Sequence, residues 1–435
     1  MISVFCVSVV RYFLEKITTE AQRTQRLHRE EARGAARSAR KRVRVVERYG
    51  VRSCQLLVVL FVSLAGGPSA RIPNFDRGVA LEQKAETTAN ASLGDLDGDG
   101  YPDIVLAKGR HWPLLDLALF NDGHGQFNRR HNVSVREDRS YTAAVADLNG
   151  DGTLDLVVGN DSPDEKVIYF NDGKGNFTFA GTFGDARWPT RNLTVLDLNG
   201  DRRPDIVVAN RSEDQPGANY VCLNDGRGRF SSCRAFSTES ATTIASQDIN
   251  GDGFPDLVVP HREGGQSYLY INDGHGAFAE KHPFGAANAE TRAIALGDLN
   301  GDGKIDIIIG DQARGGAFIY FNQGSLKFSE PVQIIGKEVT VYSMAIADMN
   351  GDGHADVVLG NDEAPGMVLI NDATGRTFTR VRFGDAQGTV YGLALGDVNG
   401  DGSPDIVAAR SDAPSMLYLN SLRMKVKPRQ HVRHN

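Results

Sequence analysis

The stretch Asp95-Leu96-Asp97-Gly98-Asp99-Gly100-Tyr101-Pro102-Asp103 is the first of seven similar nine-residue loops. The other six loops begin at Asp147, Asp197, Asp248, Asp298, Asp348 and Asp397, at intervals of 49 to 52 residues. A fixed period of this size is the signature of a repeat architecture, in which each repeat is one unit of supersecondary structure. The repeats cover nearly all of residues 71–420, so they decide the fold.

Each repeat also carries a second signature, which runs from Asn to Phe. Its clear copies are Asn121–Phe127, Asn171–Phe177, Asn224–Phe230 and Asn272–Phe278, with looser versions at Asn322 and Asn371. Asn-Asp-Gly is typical of a tight hairpin turn, and short β-branched runs such as Ile307-Ile308-Ile309 lie between the two signatures. No helical periodicity is visible. Seven units of about four short strands predict an all-β fold, a seven-bladed β-propeller of four-stranded blades.

The two ends of the repeat region predict how the ring closes. The last repeat stops after its third strand at Asn420, which leaves its blade one strand short. Phe75 lies 20 residues before Asp95, as Phe127 does before Asp147. Residues 75–82 are therefore expected to supply the missing outer strand of the seventh blade.

The nine-residue loop has the chemistry of a calcium site. Positions 1, 5 and 9 are always Asp, and position 3 is Asp or Asn. Oxygen ligands at alternate positions, with Gly at position 6 for a sharp turn, suit Ca²⁺, and a protein-rich, flexible ligand set favours Ca²⁺ over Mg²⁺. The alternative is a polar turn without an ion. The predicted ligands are Asp95, Asp97, Asp99, Asp103, Asp147, Asn149, Asp151, Asp155, Asp197, Asn199, Asp201, Asp205, Asp248, Asn250, Asp252, Asp256, Asp298, Asn300, Asp302, Asp306, Asp348, Asn350, Asp352, Asp356, Asp397, Asn399, Asp401 and Asp405.

The charge distribution agrees with up to seven calcium ions. Residues 1–70 hold 13 Lys and Arg against 5 Asp and Glu, whereas residues 71–435 hold 35 against 50. Seven divalent ions would nearly neutralise this acidic body, so their removal is expected to destabilise it. The first loop, with four Asp, is expected to bind most strongly. The third is expected to be weak or empty, because Arg202 replaces the Gly and Arg203 follows it.

The loop resembles the FG-GAP repeats of integrin α-subunits and their bacterial VCBS-type relatives. Asp-x-(Asp/Asn)-x-Asp-Gly-x-x-Asp and the Phe-Gly pairs at Phe183, Phe284 and Phe383 carry the resemblance, over about 350 residues. In that family the loop joins the first two strands of a blade and holds Ca²⁺ on one face, here called the lower face. Ligands usually meet the opposite, upper face. The resemblance does not decide function, because propellers serve as lectins, adhesion modules and a few polysaccharide lyases.

The upper face contains candidate ligand-binding residues. The residue six positions before each loop starts the inner strand at the upper mouth of the central channel: Ala89, Tyr141, Arg191, Thr242, Arg292, Tyr342 and Tyr391. Three Tyr and two Arg suit stacking on a sugar or peptide and bidentate binding of a carboxylate. The alternative is that they plug the channel and satisfy one another. Trp112, Trp188 and His261 lie in loops further out.

Two functional classes remain. We expect a protein- or carbohydrate-binding module, of the adhesion or lectin type, that acts on an extracellular protein or glycan. The alternative is a polysaccharide lyase, with His261, Arg262 and Tyr342 as an acid/base set. No hydrolase elbow, zincin motif or Cys/His zinc spacing is present, so no catalytic residue is assigned. The acidic composition argues against nucleic acid as a partner.

The N-terminal part resembles a displaced secretory signal. Residues 51–70 hold Arg52, an apolar run and small residues at the cleavage region, and the run is too short to cross a bilayer. We interpret residues 1–50 as a gene-model extension; a genuine basic leader is the alternative. The mature chain is expected to be secreted, extracellular or periplasmic, and monomeric. Cys222 and Cys233 flank a hairpin turn and form either a disulfide or two free thiols. Residues 422–435 are expected to be a basic disordered tail.

Overall fold

The computed structural model describes residues 71–212 and 218–422. These residues form 28 strands and no helix, which confirms the all-β prediction. The predicted extension, the predicted signal peptide and nearly all of the predicted tail lie outside the described residues. No helix in the described part is long and apolar enough to cross a membrane.

The strands follow the repeat along the chain. The first blade is preceded by β1 (Arg77–Ala80) and contains β2 (Glu86–Gly94), β3 (Asp103–Lys108), β4 (Leu117–Phe120) and β5 (Arg129–Asn132). The second contains β6 (Ser140–Ala146), β7 (Asp155–Asn160), β8 (Lys166–Asn171) and β9 (Phe177–Phe183). The third contains β10 (Thr190–Leu196), β11 (Asp205–Asn210), β12 (Asn219–Cys222) and β13 (Cys233–Ser237).

The remaining blades repeat this order. The fourth contains β14 (Ala245–Gln247), β15 (Asp256–Val259), β16 (Gly265–Ile271) and β17 (Glu280–Ala289). The fifth contains β18 (Thr291–Gly297), β19 (Asp306–Asp311), β20 (Ala317–Tyr320) and β21 (Val332–Ile335). The sixth contains β22 (Val341–Ala347), β23 (Asp356–Asn361), β24 (Gly366–Asn371) and β25 (Phe378–Phe383), and the last contains β26 (Thr389–Gly396), β27 (Asp405–Ala413) and β28 (Met416–Leu419).

The last blade is completed by a strand from the other end of the repeat region. β1 pairs antiparallel with β28, with Arg77 opposite Leu419 and Ala80 opposite Met416. The blade therefore has the order β26-β27-β28-β1, and the predicted closure is confirmed. A short pairing of β2 with β27 joins this blade to the first in one eight-stranded sheet; the other five sheets have four strands each. The described strands thus form seven four-stranded sets.

The hydrophobic core lies between neighbouring blades. In β3, Ile104 and Leu106 pack towards the last blade, whereas Val105 and Ala107 pack towards the second. Seven clusters of buried residues join the blades in this way around the ring. The second strand of a blade is covered on both faces, so its apolar residues form a continuous run instead of alternating with polar ones.

The two turns of each repeat meet at one face because the strands alternate in direction. The nine-residue loop joins the first strand to the second, and the Asn-Asp-Gly turn joins the third to the fourth. Both connections lie at the same end of an antiparallel blade. This places the candidate metal loops beside the Asn-Asp-Gly turns on the lower face. The first strands start at the other end, around the central channel.

Candidate functional site

The first loop is folded around its own carboxylates. Asp95 accepts hydrogen bonds from the backbone N–H groups of Gly98 and Gly100, both at 2.8 Å, and Asp99 accepts one from Tyr101 N at 2.9 Å. Gly98 and Gly100 have φ of 78° and 87°, a conformation that favours glycine. The turn therefore orients the acidic side chains towards one another.

These side chains leave a polar atom without a partner. Carboxylate oxygens of Asp95, Asp97 and Asp99 lie within 4.8 Å of one another. Asp97 Oδ1 is buried and has no hydrogen-bond partner, and burial together with the charges of Asp97 and Asp95 raises the pKa of Asp99. A hard cation would relieve both the unpaired oxygen and the repulsion, so this donor set fits Ca²⁺.

Arg129 already supplies part of that positive charge. Its Nη1 donates to Asp97 Oδ2 at 2.7 Å, Nη2 donates to Lys174 O at 2.6 Å, and the guanidinium lies 4.0 Å from the centre of the Phe120 ring. This pair was not predicted, because Arg129 belongs to the fourth strand and lies 32 residues after Asp97. It would compete with an ion for Asp97, the residue that distinguishes the first loop.

In three of the other loops the Asn at position 3 donates a side-chain hydrogen bond to the Asp at position 5. Asn149 Nδ2 donates to Asp151 Oδ2 at 2.9 Å, and Asn250 Nδ2 donates to Asp252 Oδ2 at 2.7 Å. Asn350 makes the same bond to Asp352. The amide oxygen stays available as a ligand but also accepts a backbone N–H, as Asn149 Oδ1 does from Asp151 N at 2.8 Å. A half-buried carboxylate at position 1, an exposed carboxylate at position 5 and one amide therefore form the local donor set.

The ninth-position Asp residues have a structural role that the sequence analysis missed. Asp103 is fully buried; Oδ2 accepts a hydrogen bond from Leu96 N and Oδ1 one from Asn121 N, both at 2.8 Å. Burial raises its pKa to about 7. Each oxygen keeps a second lone pair for an ion. The same two bonds recur at Asp155, Asp205, Asp256, Asp306, Asp356 and Asp405.

The Asn that opens each turn links neighbouring blades. Asn171 Nδ2 donates to Leu96 O of the preceding blade at 2.8 Å, and Asn171 Oδ1 accepts from Gly173 N and Gly175 N. The equivalent interblade bonds go from Asn121, Asn224, Asn272, Asn322, Asn371 and Asn420 to the second residue of the preceding loop. A ring of seven side-chain bonds therefore connects the loops of the lower face.

The third loop keeps its shape despite Arg202. This residue adopts φ of 66°, and its N–H donates to Asp197 Oδ2 at 2.7 Å, as the glycine does in other loops. Arg202 therefore adopts the left-handed turn, although a side chain with a Cβ is strained in this conformation. Arg203 Nη1 lies 3.9 Å from Asp201 Oδ2, so the positive charge of this guanidinium lies next to the loop carboxylates.

At the upper end of the channel, the seven mouth residues meet around one cavity. It has a volume of about 220 Å³ and is lined by Ala89, Tyr141, Arg191, Thr242, Arg292, Tyr342 and Tyr391. Arg110, His111 and Arg211 line it as well. Arg110 and Arg211 follow the second strands of their blades. They therefore lie outside the position, six residues before each loop, by which the seven mouth residues were identified.

Aromatic rings at the mouth are covered by guanidinium groups. Arg292 lies 3.9 Å from the ring centre of Tyr342, and Arg191 lies 4.5 Å from that of Tyr141. Arg110 lies 3.6 Å from the ring centre of Tyr391 and donates to its hydroxyl at 2.6 Å. The tyrosines therefore orient arginines as well as line the cavity.

The outer candidates do not line this cavity. Trp112 is 70% exposed, whereas Trp188 stacks on Tyr220 with ring centres 3.9 Å apart. His261 Nδ1 accepts a hydrogen bond from Glu263 N at 3.2 Å. Of the acid/base set considered for a lyase, Tyr342 lines the cavity, whereas His261 does not.

Comparisons with solved structures show the fold. A lectin from Agrocybe aegerita that recognises non-reducing terminal N-acetylglucosamine is 18% identical, with a TM-score of 0.52 over 76% of this chain and 87% of the lectin. BBS1N, solved in complex with ARL6DN, is 14% identical, with a TM-score of 0.58 over 82% of this chain and 99% of BBS1N. The Dos1 propeller is 10% identical, with a TM-score of 0.50 over 82% of this chain and 90% of that one.

The sequence itself matches a family model. No curated protein matches the chain. The model of the FG-GAP-like repeat, however, matches residues 95–158, 147–208, 197–259, 248–309, 298–359 and 348–408. These overlapping matches extend over most of the described residues and coincide with the loops identified above. The chain therefore belongs to the FG-GAP-like repeat family and folds as a β-propeller.

Proposed function

We propose that this chain is a secreted, calcium-stabilised β-propeller that serves as a protein- or carbohydrate-binding module. The observation that carries the calcium part is the Asp95–Asp97–Asp99 cluster, with its unpaired Asp97 Oδ1. In each loop the carboxylates at positions 1 and 5, and the Asp or Asn at position 3, would hold the ion. The buried Asp at position 9, Asp103 in the first loop, would offer a further carboxylate oxygen.

Calcium would act on the fold through the connections of the lower face. Each loop is bound to its own Asn-Asp-Gly turn by the ninth-position Asp, and to the next blade by the interblade Asn. An ion that neutralises a loop therefore stabilises the junction between two blades. Without it, the acidic side chains of the loop repel one another.

Export is supported by the cysteine pair. Cys222 and Cys233 are paired opposite each other in β12 and β13 and form a disulfide. Structural disulfides are typical of oxidising compartments outside the cytosol. Together with the signal-like segment at residues 51–70, this bond supports a secreted or periplasmic location.

A binding role is supported by the cavity at the upper mouth. Its side chains offer guanidinium, hydroxyl and amide groups from several blades, which is the pattern of a recognition site. The fold is used for binding a sugar by the Agrocybe aegerita lectin and occurs in a protein complex in BBS1N. We place the ligand, an extracellular protein or glycan, at this mouth.

Calcium dependence is tested by melting the purified protein with excess calcium and with excess chelator. The melting temperature is expected to fall on chelation and to recover when calcium, but not magnesium at equal concentration, is restored. An unchanged melting temperature would contradict the calcium part. The binding role is tested separately on glycan and cell-surface protein arrays, where silence on both would contradict it.

A further inference from the structure

We propose that the upper mouth binds the oxyanion of an acidic sugar, a carboxylate or a sulfate, rather than a neutral sugar or a peptide. This inference rests on the proposed binding role of the upper face and adds the chemical class of the ligand. Four arginines, Arg110, Arg191, Arg211 and Arg292, line one cavity, and none of the lining residues is Asp or Glu.

Two of these arginines have their charge compensated. Arg191 Nη1 lies 2.5 Å from Asp161 Oδ1, and Arg211 Nε donates to Glu263 Oε1 at 2.6 Å. Arg110 and Arg292, by contrast, have no carboxylate within ion-pair distance among the described residues, and the Nε of each is buried without a hydrogen-bond partner. Both side chains are half-buried, and a partly desolvated guanidinium without a counter-ion is costly unless an anion pairs with it.

Further basic side chains lie close to the arginines of the cavity. Arg262 is half-buried next to the cavity, and burial together with the charges of Arg292 and Arg211 lowers its pKa. Partial desolvation and the charges of Arg110 and Arg191 lower the pKa of the His111 imidazole, which favours its neutral form, so the positive charge at the cavity comes from the arginines. The body of the protein is acidic overall, so this concentration of cations marks a site where an anion is attracted.

The tyrosines hold the guanidinium groups in fixed positions from which they are able to bind an oxyanion. One face of Tyr342 is covered by Arg292 and one face of Tyr391 by Arg110, so these two faces are not open for stacking on a sugar ring. Stacking holds a guanidinium plane in place, and a fixed fork loses less conformational entropy when it binds an oxyanion through two parallel bonds. Tyr342 and Tyr391 also pack edge to face, with ring centres 5.1 Å apart.

The size and the remaining polar groups favour a sugar as the carrier of that anion. A cavity of about 220 Å³ has room for a single sugar residue. Asn90 and Asn192 line it with amides that are able to bond to hydroxyl groups. The exposed His111 lines it too, so the cavity is accessible from solvent at this side.

The test compares matched sugars by calorimetry on the calcium-loaded, full-length mature protein. Glucuronate and glucose 6-sulfate are expected to bind, and glucose, which differs from them only at C6, is expected to bind at least about tenfold more weakly. Equal affinity for glucose and glucuronate would overturn the proposal. So would acetate or inorganic sulfate that binds as tightly as the acidic sugars, or an acidic peptide that binds more tightly.

The arginines are tested by substitution and by chemical protection. Arg292→Gln is expected to weaken glucuronate binding at least about tenfold, and Arg292→Lys less, whereas Arg187→Gln, on an 88% exposed side chain, is expected to leave it unchanged. Because Arg292→Gln is able to disturb the fold, its melting temperature is measured as well. In the unsubstituted protein, glucuronate is expected to protect Arg292 and Arg110 from phenylglyoxal; equal labelling with and without glucuronate would overturn the assignment.

These outcomes separate this inference from the proposed function. Capture of a neutral glycan or a surface protein at the mouth would support the binding module and refute the acidic-sugar ligand. A chelator that leaves the melting temperature unchanged would refute the calcium role without bearing on the arginines.

Discussion

Asn121 Nδ2 donates a hydrogen bond to Val398 O at 2.7 Å, across 277 residues of chain. Asn121 opens the Asn-Asp-Gly turn of the first blade, and Val398 is the second residue of the loop in the last blade. This bond therefore closes the ring of interblade Asn bonds, at the same junction where β1 completes the last blade. Ring closure on the lower face rests on a side chain as well as on strand pairing.

Replacing this amide by a carboxylate is expected to open that junction. In Asn121→Asp, the hydrogen bonds to Val398 O and Pro102 O are lost, and a carboxylate faces two carbonyl oxygens. We expect a loss of about 3 kcal/mol of stability, measured by denaturant unfolding. Gln126→Glu makes the same amide-to-acid change on an exposed residue of the same turn. Equal effects of the two substitutions would contradict the role of the Asn121 bond.

The sequence predicts the architecture well because a repeat displays its regular positions many times. The period of about 50 residues, the Phe75 offset and the buried runs between the signatures predict the blades and the closing strand, and all are found. The interblade Asn bonds were missed for a physical reason. Which carbonyl lacks a partner depends on how one blade sits against the next, and Val398 O is not close to Asn121 in sequence.

The candidate sites were predicted less completely. The mouth residues occupy one periodic position in the first strand, and the structure does bring them around a cavity. Arg110 was not predicted because it follows a second strand, with φ of 49°, and because the equivalent position is not Arg in every repeat. The pairing of Arg129 with Asp97 was not predicted because Asp97 belongs to a strand connection 32 residues away. Side chains from different strands meet through the twist and packing of the blades, which a periodic pattern does not specify.

Replacing the strained Arg202 in the third loop by glycine is expected to raise the stability of the protein. Arg202→Gly removes a Cβ from a residue with φ of 66° and is expected to stabilise the calcium-free protein by about 1 kcal/mol. It also removes a cation from the loop, so we expect calcium binding at this loop to strengthen. Thermal unfolding in chelator and calcium titration by calorimetry measure the two effects.

The reverse change in the fifth loop is the matched control. Gly303 has φ of 80°, and a Cβ added there would meet no atom within 4 Å. Gly303→Arg is therefore expected to lower stability by a similar amount through backbone strain alone, and to weaken calcium binding at that loop. If neither substitution changes the calcium titration, the residue at position 6 does not control the ion.

The disulfide is expected to stabilise the third blade. Cys222 and Cys233 are 11 residues apart in sequence and join β12 to β13. Chain-entropy arguments give about 3 kcal/mol for a loop of this size, so Cys222→Ser combined with Cys233→Ser is expected to lose about that much. Denaturant unfolding with and without reductant checks this value. Reductant is expected not to destabilise the double variant further. If reductant destabilises it as strongly as the unsubstituted protein, the loss of stability does not come from the Cys222–Cys233 bond.

Asp116 is expected to give the protein a specific pH dependence. It is buried between the first two blades, where Oδ1 accepts a hydrogen bond from Lys108 N at 2.8 Å and Oδ2 one from Ser140 Oγ at 3.0 Å. Burial raises its pKa to about 7. The folded state therefore holds a proton that the unfolded state releases near pH 4, so this group's contribution to stability is full below about pH 4 and is lost as the pH rises to about 7.

Comparison with a variant isolates this contribution. The stability of the unsubstituted protein relative to Asp116→Asn is expected to fall by up to roughly 1.4 kcal/mol per pH unit between about pH 4 and pH 7, and to level off above that range. Denaturant unfolding in chelator at several pH values measures it, so that calcium does not contribute. Glu137→Gln, on an exposed side chain nearby, should show no such trend. A relative stability that rises with pH would mean that Asp116 is held in its charged form by its two hydrogen-bond donors.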